Sequence, residues 1–124
     1  MDDANNRELG RSGACAAVVK ALNSFGNINQ KVAENGCNAV GNLAFDEGNR
    51  QEFGRVGGCA AVINALNAFG SVNVDIADEG CNAVLNLAFN DANKRTLLAL
   101  NARSVVESCI KNPFKDKALR KLSC

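Results

Sequence analysis

Apolar residues recur with a helical period through most of the chain. Between Cys15 and Phe25, residues Val18, Ala21, Leu22 and Phe25 stand at i, i+3, i+4 and i+7, which predicts one amphipathic helix. Between Val32 and Phe45, residues Val32, Ala33, Gly36, Cys37, Val40, Leu43 and Ala44 draw a second apolar stripe. Gly26-Asn27 breaks the chain between them, and Asn27 or Asn29 can cap the helix that follows. A shorter helix precedes each pair: Asn49-Arg50-Gln51-Glu52 has a capping-box-like start, and Asn5 through Glu8 repeats it. Gly57-Gly58 permits a sharp turn into the next helix. No stretch shows the period-two alternation of a strand, so the pattern predicts an all-α protein.

The same pattern occurs twice. Shifting the chain by 44 residues aligns Gly13–Val56 with Gly57–Leu100 at 22 identities in 44 positions, without a gap. GACAAVVKALNSFG answers GGCAAVINALNAFG, and ENGCNAVGNLAF answers DEGCNAVLNLAF. The first unit spans about residues 2–45 and the second about 46–89; a shortened third unit fills 90–124. Its tail, ALRKLSC, matches AVLNLAF once about nine residues are deleted before it. A unit of 44 residues cannot bury its own apolar stripes. Stacked neighbours can, which predicts a single solenoid domain with three helices per repeat and a C-terminal cap.

NRQEFGRVGG, then CAAVINALNAFG, then GCNAVLNLAF resembles the armadillo repeat along essentially the whole chain. That resemblance implies a right-handed α-α superhelix whose third helices line a concave groove, where extended peptide segments of other proteins bind. The family's groove asparagine, just before Leu-Ala in the third helix, corresponds to Asn42 and Asn86. In peptide-binding relatives it grips a peptide backbone amide, since its side chain carries both a donor and an acceptor. Import-receptor relatives have a tryptophan four residues earlier; here Asn38 and Asn82 stand instead, which argues against a slot for the lysine stems of an import signal.

Helical geometry alone picks out the residues that share this side. Positions at i, i+4, i+7 and i+11 are Lys31, Asn35, Asn38 and Asn42 in the first unit, and Asp75, Glu79, Asn82 and Asn86 in the second. Lys117 and Lys121 take the matching places in the third. Asparagine is a poor helix former, so four asparagines at two repeated positions point to a polar binding ladder. An asparagine ladder that only ties neighbouring helices together is the competing reading. The charges suit a mixed-charge peptide, with Asp75 and Glu79 meeting basic residues and Lys117 and Lys121 meeting acidic ones.

Composition narrows the chemistry. The chain has 18 asparagines and no histidine, tryptophan or tyrosine, so it lacks Ser-His and Cys-His pairs and histidine metal ligands. The six cysteines lack the close C-x2-4-C pair of a zinc site, and four of them recur at 22-residue spacing as repeated core positions. Asp78 and Glu79 are sequence neighbours whose side chains diverge by about 100° on a helix. Neither an enzyme activity nor a cofactor nor a metal is expected. No signal-peptide h-region opens the chain and no run of 18 apolar residues exists, so a cytoplasmic protein with reduced thiols and no membrane span is expected. Net charge is +1: residues 1–100 carry −3 (8 basic, 11 acidic) and residues 101–124 carry +4 (6 basic, 2 acidic). The basic end suits an ordinary helix-terminus complement, and without aromatic interleaving no nucleic acid is expected. The expected partner is a protein or peptide. The alternatives are a structural unit that self-associates, as a homo-oligomer, through its exposed repeat ends, or a fragment of a longer armadillo array.

Overall fold

The computed structural model describes residues 13–123. Among them the secondary structure is entirely helical: α1 (Ala14–Phe25), α2 (Gln30–Leu43), α3 (Glu47–Val56), α4 (Gly58–Phe69), α5 (Val74–Leu87), α6 (Asp91–Ala99), α7 (Ala102–Glu107) and α8 (Lys115–Ser123). The short helix expected near Asn5–Glu8 lies outside the described residues. Helices of like position in successive units pack on one another, α2 on α5 on α8, α1 on α4 on α7, and α3 on α6.

Asparagines start the helices that the pattern predicts. Asn29 is the cap of α2, its Oδ1 accepting from the Val32 amide at 3.0 Å, and Asn73 does the same for α5 with Ile76. The short helix that precedes each pair begins earlier than Asn49 suggests. Asp46 is its cap, accepting from the Asn49 amide at 3.0 Å, and Asn49 is buried in the first turn, where its Nδ2 donates to the Leu43 carbonyl at 2.9 Å. Asn90 repeats the Asp46 role for α6. The turn before each second helix needs a left-handed residue: Gly13 and Gly57 have φ of 90° and 86°, and Asn101, the equivalent in the third unit, has φ 62°. Asparagine tolerates that region better than other residues with a Cβ.

One core runs through all three units. Cys15, Cys37, Cys59, Cys81 and Cys109 are free thiols inside it. Cys15 and Cys59 are one repeat position, Cys37 and Cys81 another. Burial pushes the Cys15 and Cys59 thiols up to about 11, with Glu52 and Asp46 adding to the effect at Cys15. At the C-terminal side, Cys109 sits against Gly70, where a Cβ would come 2.8 Å from its sulfur. Hydrogen bonding with Cys81 and, less strongly, nearby Lys115 pull the Cys109 thiol below its usual range, while Cys81 is driven up.

Close approach within each unit relies on one repeated glycine. A Cβ at Gly36 would collide with the side chain of Leu22, and one at Gly80 with that of Leu66. The last two helices are shorter than their counterparts in the second unit. Helix α7 has six residues where α4 has 12, and α8 has nine where α5 has 14. The connection is held by the Ile110 amide donating to the Gly70 carbonyl at 2.9 Å and by the Lys115 ammonium on the Cys109 carbonyl at 2.8 Å.

The predicted stripe of α1 is only partly covered. Leu22 is buried, but Val18 is half-buried and Ala21 and Phe25 are exposed; their equivalents Val62 and Ala65 in the second unit are fully buried. The difference is positional, because α4 has α1 to pack against on that side.

Candidate functional site

The third-helix layer of α2, α5 and α8 carries the polar side chains picked out above. Lys31, Asn35, Asn38 and Asn42 are exposed along α2. On α5 the series grades inward: Asp75 is exposed, Glu79 and Asn82 are half-buried, and Asn86 is buried at 4% exposure. On α8, Lys117 is exposed and Lys121 is half-buried.

Hydrogen bonds join these residues along and across the layer. Asn42 Nδ2 donates to Asn38 Oδ1 at 3.3 Å, and Asn38 Nδ2 donates to Glu79 Oε2 at 2.7 Å, crossing from α2 to α5. On α5, Asn86 Nδ2 lies 3.4 Å from Asn82 Oδ1 and donates to the Gly41 carbonyl at 3.0 Å. Gly41 lies in the last turn of α2, where carbonyls lack an intrahelical donor, so Asn86 satisfies one of them from the next unit. A Cβ at Gly41 would come 2.8 Å from Asn82 Nδ2, so the glycine also makes room for that amide.

The two residues of each repeated pair therefore differ in situation. Asn42 and Asn86 share a repeat position, yet among the described residues Asn86 is the one that bonds the preceding unit, where it is occupied in joining α5 to α2. Asn38, Asn42 and Asn82 retain surface at the layer's outer side. Lys117 and Lys121 turn toward aromatic rings: Lys121 Nζ is 4.4 Å from the Phe89 ring centre and Lys117 Nζ is 5.7 Å from that of Phe114. Arg50 approaches Phe89 as well, at 5.4 Å. Beside the acidic end of the strip, burial first and Asp75 second push the Asp78 carboxyl above its usual value.

Further asparagines, not singled out in the sequence, also reach between units. Asn73 Nδ2 donates to Gln30 Oε1 at 2.7 Å while its oxygen caps α5. Asn90 Nδ2 lies 3.2 Å from a Glu47 carboxylate oxygen while its own oxygen caps α6. Buried Asn93 donates to the Arg50 carbonyl at 2.9 Å. An asparagine cap can do both jobs because its amide nitrogen donates while its oxygen accepts, whereas an ionised aspartate only accepts. The signal was present in the sequence as a donor and acceptor about one repeat apart.

Among the described residues, no cluster of three or more Cys, Asp or Glu side chains could hold a metal ion, and no helix is long and apolar enough to cross a membrane. The chain matches no family model, no curated protein and no solved structure.

Proposed function

We propose that the chain is a protein–protein interaction scaffold, an armadillo-type right-handed solenoid whose α2–α5–α8 layer lines a concave groove and binds an extended segment of a partner. The observation that supports this reading is the surviving surface of Asn38, Asn42 and Asn82 on adjacent helices. Each side-chain amide can donate to a peptide carbonyl and accept from a peptide N–H, so a strand-like segment is the ligand that such a row suits. Exposed mid-helix positions with no such task favour alanine, glutamate or lysine.

Three asparagine contacts at roughly 0.5–1.5 kcal/mol each supply about 1.5–4.5 kcal/mol. Association costs on the order of 4–15 kcal/mol, so binding through the amides alone is weak. Charge adds the remainder: Asp75 beside the α5 row favours a basic residue in the ligand, and Lys117 on α8 favours an acidic one. The preferred segment is extended and of mixed charge.

The test is selection of displayed random peptides on the full chain, followed by titration of the winners against an Asn38→Ala, Asn42→Ala, Asn82→Ala variant. Enriched peptides that lose about tenfold or more in affinity on a variant with an unchanged circular dichroism spectrum support the groove. No enrichment, or equal affinity for variant and parent, refutes it.

A further inference from the structure

The upstream side of the first unit presents an uncovered apolar face. Ala17, Val18 and Ala21 of α1 and Val32, Asn35, Gly36 and Ala39 of α2 line a hollow of about 370 Å³. Asn35 is its one polar side chain, and none of the seven residues is fully buried. Forty-four residues on, the other six are answered by Ala61, Val62, Ala65, Ile76, Gly80 and Ala83, nearly the same side chains and every one buried, while Asn35 is answered by half-buried Glu79. What lies against α4 and α5 on that side is the α1–α2 helix pair. Within the chain, this face of the second unit is thus covered by a helix pair of the same sequence type, through that pair's opposite side.

We propose that this face is a self-association surface, covered by the same face of a second copy about a twofold axis. The opposite end of the molecule is unsuited to cover it. Gly41, which receives Asn82 of the next unit, is answered at the far end by exposed Arg120, through the alignment of ALRKLSC with AVLNLAF. Exposed Asp116 and Lys117 stand on the same helix. Docking the apolar hollow on that end would strip water from these charges without replacing it, which disfavours head-to-tail stacking. Face-to-face pairing leaves them solvated and closes after two copies. Small residues at Ala17, Ala21, Gly36 and Ala39 let the helices of two copies approach closely. The rim of α2 carries Lys31 and Glu34, one of each sign, so the two rims do not repel.

Size sets the strength. Helices of 12 and 14 residues are roughly 18 and 21 Å long, and about 10 Å wide, so the pair offers roughly 400 Å² per copy. About 800 Å² in total falls below the ~1,200 Å² of stable complexes, so the dimer is weak and reversible. It borders the asparagine row of α2 at Lys31 and Asn35, but the substitutions that test it fall on α1 and those that test the groove on Asn38, Asn42 and Asn82, so either can fail alone.

Sedimentation equilibrium of the full chain from about 20 µM to about 1 mM tests the proposal. The weight-average mass is expected to rise from 13.0 kDa toward twice that value. An Ala17→Glu, Ala21→Glu variant, altered only at exposed positions, should stay at 13.0 kDa with an unchanged melting curve, while Arg120→Glu should dimerise like the parent. A mass fixed at 13.0 kDa throughout overturns the dimer and leaves the face to another polypeptide or to residues 1–12. Dimerisation that survives the alanine substitutions, or is lost with Arg120→Glu, overturns it too.

Discussion

Replacing Asn86 and Asn42 by alanine in turn separates the two jobs that one repeat position performs. Asn86 is 4% exposed and donates to the buried Gly41 carbonyl at 3.0 Å. Asn86→Ala removes a bond worth about 0.5–1.5 kcal/mol and leaves that carbonyl unsatisfied, which costs about 1–3 kcal/mol as a whole once desolvation is counted. The better helix propensity of alanine returns roughly 0.5 kcal/mol. The net expectation is a loss of about 0.5–2.5 kcal/mol. Asn42 is exposed, and its bond to Asn38 at 3.3 Å is one that water replaces. Asn42→Ala should fall within about 0.5 kcal/mol of the parent. Urea unfolding followed by circular dichroism reads both. With a slope of roughly 1–2 kcal/mol/M, Asn86→Ala lowers the midpoint by about 1 M at unchanged slope, and Asn42→Ala leaves it nearly fixed. Equal losses for the two variants, or a negligible loss for Asn86→Ala, would refute the division between a joining asparagine and a surface one.

Two further outcomes follow from the packing. Gly80→Ala should destabilise by about 1–2 kcal/mol because its Cβ collides with buried Leu66, and Leu66→Ala should cost less in that background than alone, a coupling that a double-mutant cycle in urea measures. Stability should fall in alkaline solution: the thiols of Cys15 and Cys59 rise from 9.0 to about 11 on folding, so their contribution is complete below pH 9, where both states keep the proton, and is lost as pH climbs through about 11. Unfolding midpoints measured between pH 8 and 11 check the sign, and a midpoint that holds steady while other groups are controlled by Cys15→Ala, Cys59→Ala contradicts it.

Much of the fold was legible because the repeat is read twice. The helical period is a local feature, and the structure is all-helical among the described residues; of the two caps left open, Asn27 and Asn29, it is Asn29 that starts α2. Features that depend on a neighbouring unit were not legible from one repeat. Asn42 and Asn86 look alike in sequence, but among the described residues it is Asn86 that faces the end of a preceding third helix, and Asn86 is buried where Asn42 is exposed. The early start of α3 was hidden because Asp46 reads as the tail of one unit and acts as the cap of the next. The open stripe of α1 has the same cause in reverse: the residues are core residues by type, and what covers them in the second unit is the first.

The amide side chains themselves give the most direct test of the peptide groove. In a heteronuclear NMR titration with a selected extended peptide, the side-chain amide signals of Asn38, Asn42 and Asn82 should shift in a saturable way. Those of Asn49, Asn86 and Asn93, buried and bonded to backbone carbonyls, should stay in place. A titration that saturates while the first three signals do not move, with the changes falling on another face, would contradict the account.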